Sequence, residues 1–159
     1  MLRRRQIIMG AASLAAPFLW PVRVSADAGA ASFNTGGITW HSYAEGLERA
    51  QVEGKPIYML VHATWCPTCR AFRSVFFERR VEVLSQKLIF VLVDRDQESE
   101  ISQAYAPDGD YVPRSMILSP EGVLQGALNS GRSDYRYFLP VENPGPLIDL
   151  LQRALEIRI

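Results

Sequence analysis

Cys66 and Cys69 are the two cysteines of this chain, and they stand three positions apart. Residues 63–70 read Ala-Thr-Trp-Cys-Pro-Thr-Cys-Arg, directly after an apolar run and directly before a helical pattern. This placement puts the first sulfur at a helix N-terminus, where unpaired backbone N–H groups and the positive end of the helix dipole favour a thiolate. A thiolate is the species that attacks disulfides, so the segment predicts a redox site that needs no cofactor.

Other uses of a Cys-x-x-Cys unit fit the sequence less well. A zinc site needs four ligands at short spacing, whereas no further cysteine is present and His41 and His62 are 21 positions apart, so we expect no metal. A covalent c-type haem would need histidine where Arg70 stands. A structural disulfide stays open as an alternative, although closing so short a loop removes little chain entropy.

The first 26 residues have the pattern of an export signal. Arginines at positions 3–5 precede an apolar stretch over 7–20, and Val-Ser-Ala at 24–26 offers the small residues of a cleavage site. Residues 4–8, Arg-Arg-Gln-Ile-Ile, also fit a twin-arginine motif, so both export routes stay open. An uncleaved membrane anchor is less favoured because the apolar stretch is short and contains Pro17. The pattern predicts a bacterial periplasmic protein.

Cleavage after residue 26 would leave 133 residues, a length that suits one domain. We expect a flexible lead-in over residues 27–37 and a single domain over residues 38–159. The signal carries four of the 17 basic residues and none of the 17 acidic ones, so 13 basic residues would remain against 17 acidic ones. This acidic balance argues against binding of nucleic acid or an anionic membrane, and we expect a monomer.

Hydrophobic periodicity predicts alternating helices and strands. The predicted elements are a helix beginning with a capping box at Ser42, a strand over 57–63, a helix beginning at Pro67, a helix over 81–86, a strand over 88–93, a helical turn over 101–105, a hairpin of strands 114–119 and 123–128, and a helix with Asn143 as N-cap and Pro144 as its first residue. A strand–helix–strand unit implies parallel strands, and the hairpin adds antiparallel ones. The predicted fold is therefore α/β, with a central mixed sheet, helices on both faces and the cysteines at the carboxyl end of a central strand.

The chain resembles thioredoxin-fold proteins over residues 38–157. Residues 54–66, Gly-Lys-Pro-Ile-Tyr-Met-Leu-Val-His-Ala-Thr-Trp-Cys, are similar to the strand and redox site of small endoplasmic-reticulum thioredoxin-domain proteins, the group that includes the anterior gradient proteins. Residues 105–114, Tyr-Ala-Pro-Asp-Gly-Asp-Tyr-Val-Pro-Arg, and residues 118–122, Leu-Ser-Pro-Glu-Gly, resemble segments of the same group. Residues 63–71 are similar to the redox site of periplasmic reductases that serve cytochrome c maturation.

The resemblance implies roles for residues of two separate segments. Cys66 would be the exposed nucleophile, and Cys69 would be the thiol that resolves the mixed disulfide. Pro113 would be a cis-proline facing the pair, with Val112 offering backbone groups to a substrate strand; a trans-proline starting an edge strand is the alternative. Trp65 would shield the active-site disulfide and contact partners.

Leu60 stands where many thioredoxins carry a buried acid, six residues before the first cysteine. The usual proton acceptor for Cys69 is therefore missing. His62 lies on the same strand face as Leu60, and its reference pKa is near neutrality, so it is a candidate for tuning the redox pair. Pro67 and Thr68, between the cysteines, are further candidates, and a packed strand histidine is the alternative for His62.

The sequence thus predicts a periplasmic thiol–disulfide oxidoreductase that acts on protein disulfides or thiols together with an unidentified redox donor, soluble or membrane-bound. The local similarity to cytochrome-maturation reductases favours a reductase. A disulfide oxidase or isomerase and a non-catalytic client-binding protein on the same scaffold are the alternatives. We expect the aromatic residues Tyr135, Tyr137 and Phe138 to pack a polar loop onto the sheet rather than to line a partner groove.

Overall fold

The computed structural model describes Phe33 and residues 37–157. The predicted export signal over residues 1–26 lies outside the described residues, as does most of the predicted lead-in over residues 27–37. The described elements are β1 Trp40–His41, α1 Tyr43–Glu53, β2 Ile57–His62, α2 Pro67–Phe72, a 3₁₀ helix Arg73–Phe77, α3 Arg79–Ser85, β3 Ile89–Asp94, α4 Ser99–Ala104, β4 Arg114–Leu118 and α5 Gly145–Glu156. Among the described helices, none combines the length and the apolar character that crossing a membrane requires.

The four strands form one mixed sheet in the order β1-β3-β2-β4. β3 runs parallel to both β1 and β2, and β4 runs antiparallel to β2. Every residue of the three longer strands is buried, which is why residues 57–61 and 89–93 read as continuous apolar runs rather than as alternating ones. The predicted central mixed sheet is confirmed.

Alternate residues of β2 enter two separate hydrophobic clusters, one on each face of the sheet. Tyr58 and Leu60 pack with residues of α2, the 3₁₀ helix, α3 and α5. Met59 and Val61 pack with residues of α1 and α4. The predicted helices on both faces are therefore present, and the end of β2 emerges between the two layers.

The start of α1 follows the predicted cap only in part. Ser42 Oγ accepts the backbone N–H of Glu45 at 3.3 Å, as a capping box requires. The Glu45 carboxylate instead pairs with His41 Nδ1 at 2.8 Å. The helix ends at Gly54, whose φ of +62° is a left-handed conformation that glycine adopts without strain. This cap turns the chain directly into β2.

Two expectations about the elements are wrong, and one strand was not expected. β1 was not predicted, because two residues give no readable periodicity. The second strand of the predicted hairpin, over 123–128, shrinks to a single bridge between Leu118 and Leu124. Beyond that bridge the free edge of β4 is taken by Tyr137, whose carbonyl accepts the Ser115 N–H at 2.7 Å. α5 begins at Gly145, one residue later than predicted, with Pro144 at the N-cap position.

Candidate active site

Cys66 occupies the N-cap position of α2, just beyond the carboxyl end of β2. Its Sγ accepts the backbone N–H of Cys69 at 3.0 Å, and its own N–H donates to the Ala63 carbonyl at 3.2 Å. Pro67 stands at the first helical position, where its missing N–H costs no hydrogen bond, and Thr68 is half-buried behind it. The sulfur therefore sits where helix N–H groups can stabilise negative charge.

Both cysteines are free thiols, and both are buried. Cys66 retains only 3 % of its surface exposed, so the expectation of an exposed nucleophile is wrong. Val112 packs over Cys66, Cys69 and Ala63 and provides the cover. Cys66 is therefore almost entirely shielded from solvent.

Cys69 is buried like Cys66. Burial raises the pKa of the Cys69 thiol, and the hydrogen bond between the two cysteine side chains raises it further. The Cys69 thiol is therefore protonated at neutral pH. A proton must leave Cys69 before it can act as a nucleophile.

His62 is the last residue of β2 and is fully buried, 4.9 Å from the Phe33 ring centroid in an edge-on arrangement. Its Nε2 has no hydrogen-bond partner among the described residues. Burial lowers the pKa of His62, Asp94 opposes that change and Arg73 adds to it. The ring is therefore neutral near pH 7, and its role in tuning the cysteines stays a prediction.

The segment before β4 brings Pro113 to the cysteine pair. The Val112–Pro113 peptide bond is cis, the conformation that the resemblance implied. The Val112 carbonyl oxygen lies 3.9 Å from Cys66 Sγ. The antiparallel register that pairs Arg114 with Val61 holds this segment, the cis-proline loop (residues 109–113), beside the carboxyl end of β2.

Arg114 is a site-shaping residue that the sequence reasoning missed. It is completely buried, and its Nη1 donates to the carbonyl of Tyr111 at 2.8 Å and to Asp110 Oδ1 at 3.0 Å. Its Nη2 donates to Ser102 O at 2.8 Å and to Ser102 Oγ at 2.7 Å. The side chain thus fastens the cis-proline loop to α4. The signal that could have revealed it is a lone charge at the start of a strand that is otherwise without charge.

Asp110 carries the counter-charge of Arg114. Burial alone would raise the pKa of Asp110, but hydrogen bonds and charges from Arg114 and Arg95 together outweigh that effect and hold the pKa below its usual value. Asp110 is therefore ionised at neutral pH. The loop that covers Cys66 is fixed at its base by a charged pair.

Trp65 directly precedes Cys66 in the chain and is 58 % exposed. Its ring nitrogen donates to Asp96 Oδ2 at 2.6 Å, in the turn that follows β3. An indole that is more than half exposed and still hydrogen-bonded is available to a partner surface. Trp65 and Val112 thus adjoin Cys66 from two different segments of the chain, and we call the surface between these two residues the opening.

The three loop aromatics separate in the structure. Tyr137 is buried and Phe138 is half-buried, so the expectation that they pack the loop is confirmed for both. Tyr135 is instead 51 % exposed, with a φ of +50°, and meets the Tyr111 ring edge-on with ring centroids 4.9 Å apart. The loop is thereby attached next to the cis-proline segment.

Comparisons with curated proteins agree with this geometry. The thioredoxin-like family matches residues 39–120. Anterior gradient protein 3 of Xenopus tropicalis is 32 % identical over 127 residues, which cover 74 % of this chain and 76 % of that protein. The anterior gradient protein 2 homolog of Homo sapiens is 27 % identical over 122 residues, covering 76 % of this chain and 68 % of that protein.

Solved structures share the fold. A thioredoxin from Thermus thermophilus superposes with a TM-score of 0.58 at 20 % identity, covering 75 % of this chain and 88 % of that one. DsbH oxidoreductase superposes with a TM-score of 0.55 at 22 % identity, covering 76 % of this chain and 86 % of that one. The family match and the sequence relatives agree with the fold, and the chain therefore belongs to the thioredoxin-like family.

Proposed function

We propose that the protein is a periplasmic thiol–disulfide oxidoreductase that reduces disulfides of other proteins. The observation that carries the proposal is the geometry at Cys66. Its Sγ accepts the Cys69 N–H at 3.0 Å at a helix N-terminus, and the Val112 carbonyl of the cis-proline loop lies 3.9 Å away. A sulfur that accepts a helix N–H thus lies next to a backbone carbonyl that can accept a hydrogen bond from a substrate strand.

The reaction proceeds in two exchanges. The Cys66 thiolate attacks one sulfur of the substrate disulfide; the Cys66–substrate bond forms, and the second substrate sulfur leaves as a thiolate that takes up a proton. Cys69 then loses its proton and attacks Cys66 Sγ, which releases the first substrate sulfur. The products are a reduced substrate and a Cys66–Cys69 disulfide, and a dithiol donor must return two electrons for the next cycle.

The direction of electron flow is the finer part of the proposal. It is supported by the similarity of residues 63–71 to the redox site of cytochrome-maturation reductases. Equilibration of the purified protein with glutathione buffers gives the potential of the Cys66–Cys69 pair. A value more negative than about −200 mV supports a reductase, and a less negative value would make the protein an oxidase or isomerase instead.

The periplasmic location is supported by the pattern of residues 1–26. Expression of the full chain in a bacterium, followed by cell fractionation and N-terminal sequencing, should give a periplasmic protein that begins at Asp27. Retention in the cytoplasm with an intact N-terminus would overturn the proposed location. Changing Arg4 and Arg5 together to lysine should block export only if the twin-arginine route is used, because the ordinary route needs positive charge alone.

A client-binding protein is the rival function that the exposed Trp65 favours, since such a surface can hold a partner without chemistry. The two functions differ in whether they need the sulfur of Cys66. If Cys66→Ser protects an unfolded client from aggregation as well as the unchanged protein does, and the unchanged protein shows no disulfide turnover, binding is the function. Turnover that vanishes in Cys66→Ser supports the enzyme.

A further inference from the structure

A run of hydrogen-bonded charges joins the two sides of the opening above Cys66. Trp65 Nε1 donates to Asp96 Oδ2 at 2.6 Å, and Arg95 Nη1 donates to Asp96 Oδ1 at 3.0 Å. Arg95 Nη2 donates to Asp110 Oδ2 at 2.7 Å, and Asp110 Oδ1 accepts Arg114 Nη1 at 3.0 Å. We call Asp96, Arg95 and Asp110 the charged bridge. Arg95 is its central member and contacts both carboxylates.

The backbone under the bridge is held in place by the sheet. The Arg95 N–H donates to the His62 carbonyl at 2.8 Å, which ties it to the end of β2. Asp94 Oδ1 accepts the N–H groups of Asp96 and Gln97 at 2.9 and 3.1 Å. The backbone of Arg95 is therefore fixed, and the two Nη groups of its guanidinium extend from it to the two carboxylates.

The two sides that the bridge joins are those that lie around Cys66. Trp65 is 58 % exposed, so packing alone does not fix its ring, and the Asp96 hydrogen bond is its described polar contact. On the other side Val112 covers the sulfur, and the loop below it is held by Arg114 and Asp110. Through Asp96 and Asp110, Arg95 thus links the segment that bears Trp65 to the loop that bears Val112.

We propose that Arg95 is a positioning residue for protein substrates. By holding Asp96 and Asp110 at once, it sets the width of the opening in which an extended segment of a disulfide-bonded protein lies against Cys66. A guanidinium presents two Nη groups in a fixed planar fork, whereas a lysine is a single point charge that cannot serve both carboxylates in this way. The inference rests on the proposed function, and Arg95 itself touches no reacting atom.

The test compares a protein disulfide with a small disulfide. Purified full-length protein and its Arg95→Ala variant are assayed with insulin and with 5,5′-dithiobis(2-nitrobenzoate). Insulin must enter the opening as a chain segment, so its KM should rise about tenfold while its kcat changes less than twofold. The small disulfide needs only the sulfur, and its kcat/KM should change less than about twofold. Arg95→Lys should also raise the KM for insulin.

A matched control comes from α1. Arg49 and Glu53 form an ion pair of 2.9 Å there, with side chains exposed to a degree similar to those of the bridge. Arg49→Ala removes a comparable surface ion pair away from the opening and should leave both substrates unaffected. A rise in the KM for insulin in Arg49→Ala as large as that in Arg95→Ala would make the effect one of net charge and would overturn the inference.

A double-mutant cycle tests the coupling itself. Trp65→Phe removes the donor on one side, and Asp110→Asn weakens the pair on the other. Their effects on the KM for insulin should be non-additive when Arg95 is present and additive in the Arg95→Ala background. Additivity in both backgrounds, or an equal loss with both substrates in Arg95→Ala, would contradict the positioning role. An unchanged protein that reduces neither substrate would instead remove the proposed function, and this inference with it.

Discussion

The two sides of the opening above Cys66 are built in different ways. On the cysteine side, residues 62–70 are continuous in sequence, and the key hydrogen bond joins positions three apart, from the Cys69 N–H to Cys66 Sγ. On the cis-proline side, the contacts join distant positions: Arg95 reaches Asp110 across 15 residues, and Arg114 reaches Ser102 across 12. A local motif thus supplies the chemistry, and a long-range charged network supplies the geometry around it.

The largest expected effect comes from the cysteine side. Cys66→Ser should reduce turnover of insulin and of a small disulfide to the rate of the donor dithiol alone, because a serine hydroxyl does not form a disulfide. Cys69→Ser should retain the first exchange and release product only as an added thiol resolves the intermediate. The two variants are compared by stopped-flow measurement of thiol release, and full turnover in Cys66→Ser would contradict the assignment.

On the cis-proline side, we expect Arg114→Met to affect the stability of the fold more than the redox reaction. It deprives three backbone carbonyls, Ser102 Oγ and Asp110 of a donor, which should lower the free energy of unfolding by about 3 kcal/mol. Arg95→Ala removes a half-exposed contact and should cost less than about 1 kcal/mol. Urea denaturation measures both.

Equal losses in Arg114→Met and Arg95→Ala would show that the loop is not fastened at Arg114. Arg114→Lys keeps the charge but cannot reproduce the two-armed donor set, so its stability should fall between that of Arg114→Met and that of the unchanged protein. A lysine variant as stable as the unchanged protein would reduce the role of Arg114 to charge alone.

His62 gives the smallest expected effect, and one that separates packing from chemistry on the cysteine side. Because burial lowers the pKa of His62, the unfolded chain binds a proton that the folded chain refuses, so the free energy of unfolding falls as the pH drops below the ordinary value of 6.5. His62→Leu should remove that part of the acid-side loss. Urea denaturation between pH 5 and 8 measures it, with His41→Gln as the control.

A stability profile of His62→Leu that runs parallel to that of the unchanged protein would mean that His62 titrates normally. A shift in the pH profile of insulin reduction would instead assign His62 the tuning role predicted from the sequence. The two readings of His62 therefore give different results in different assays.

The same division between local and distant contacts decides what the sequence predicts. Local backbone chemistry marks the helix ends at Ser42, Gly54 and Pro67, and apolar runs identify β2 and β3. These elements can therefore be predicted from the sequence. The cis bond at Pro113 was predicted from the family resemblance and not from any local sequence pattern. The expectation that Cys66 is exposed was wrong because Val112, 46 positions away, covers the sulfur.

Two other features depend on contacts that no local pattern encodes. The second strand of the predicted hairpin is reduced to the Leu118–Leu124 bridge, because the Tyr137 carbonyl accepts the Ser115 N–H. This contact depends on the tertiary fold and not on the local sequence. The charged stretch that contains Arg95 and Asp96 has the composition of a solvated loop, and its link to Asp110 becomes visible only when β4 brings the cis-proline loop alongside. Long-range ion pairs of this kind can be identified only from the structure.

The most direct test of the central claim is a trapping experiment with Cys69→Ala. After incubation with a disulfide-bonded protein, intact mass and peptide mapping should find one substrate chain attached through a disulfide to Cys66, since the resolving thiol is absent. In Cys66→Ala, no such adduct should form on Cys69, because burial raises the pKa of its thiol. Failure of Cys69→Ala to form an adduct, or an adduct on Cys69 in Cys66→Ala, would contradict Cys66 as the attacking sulfur.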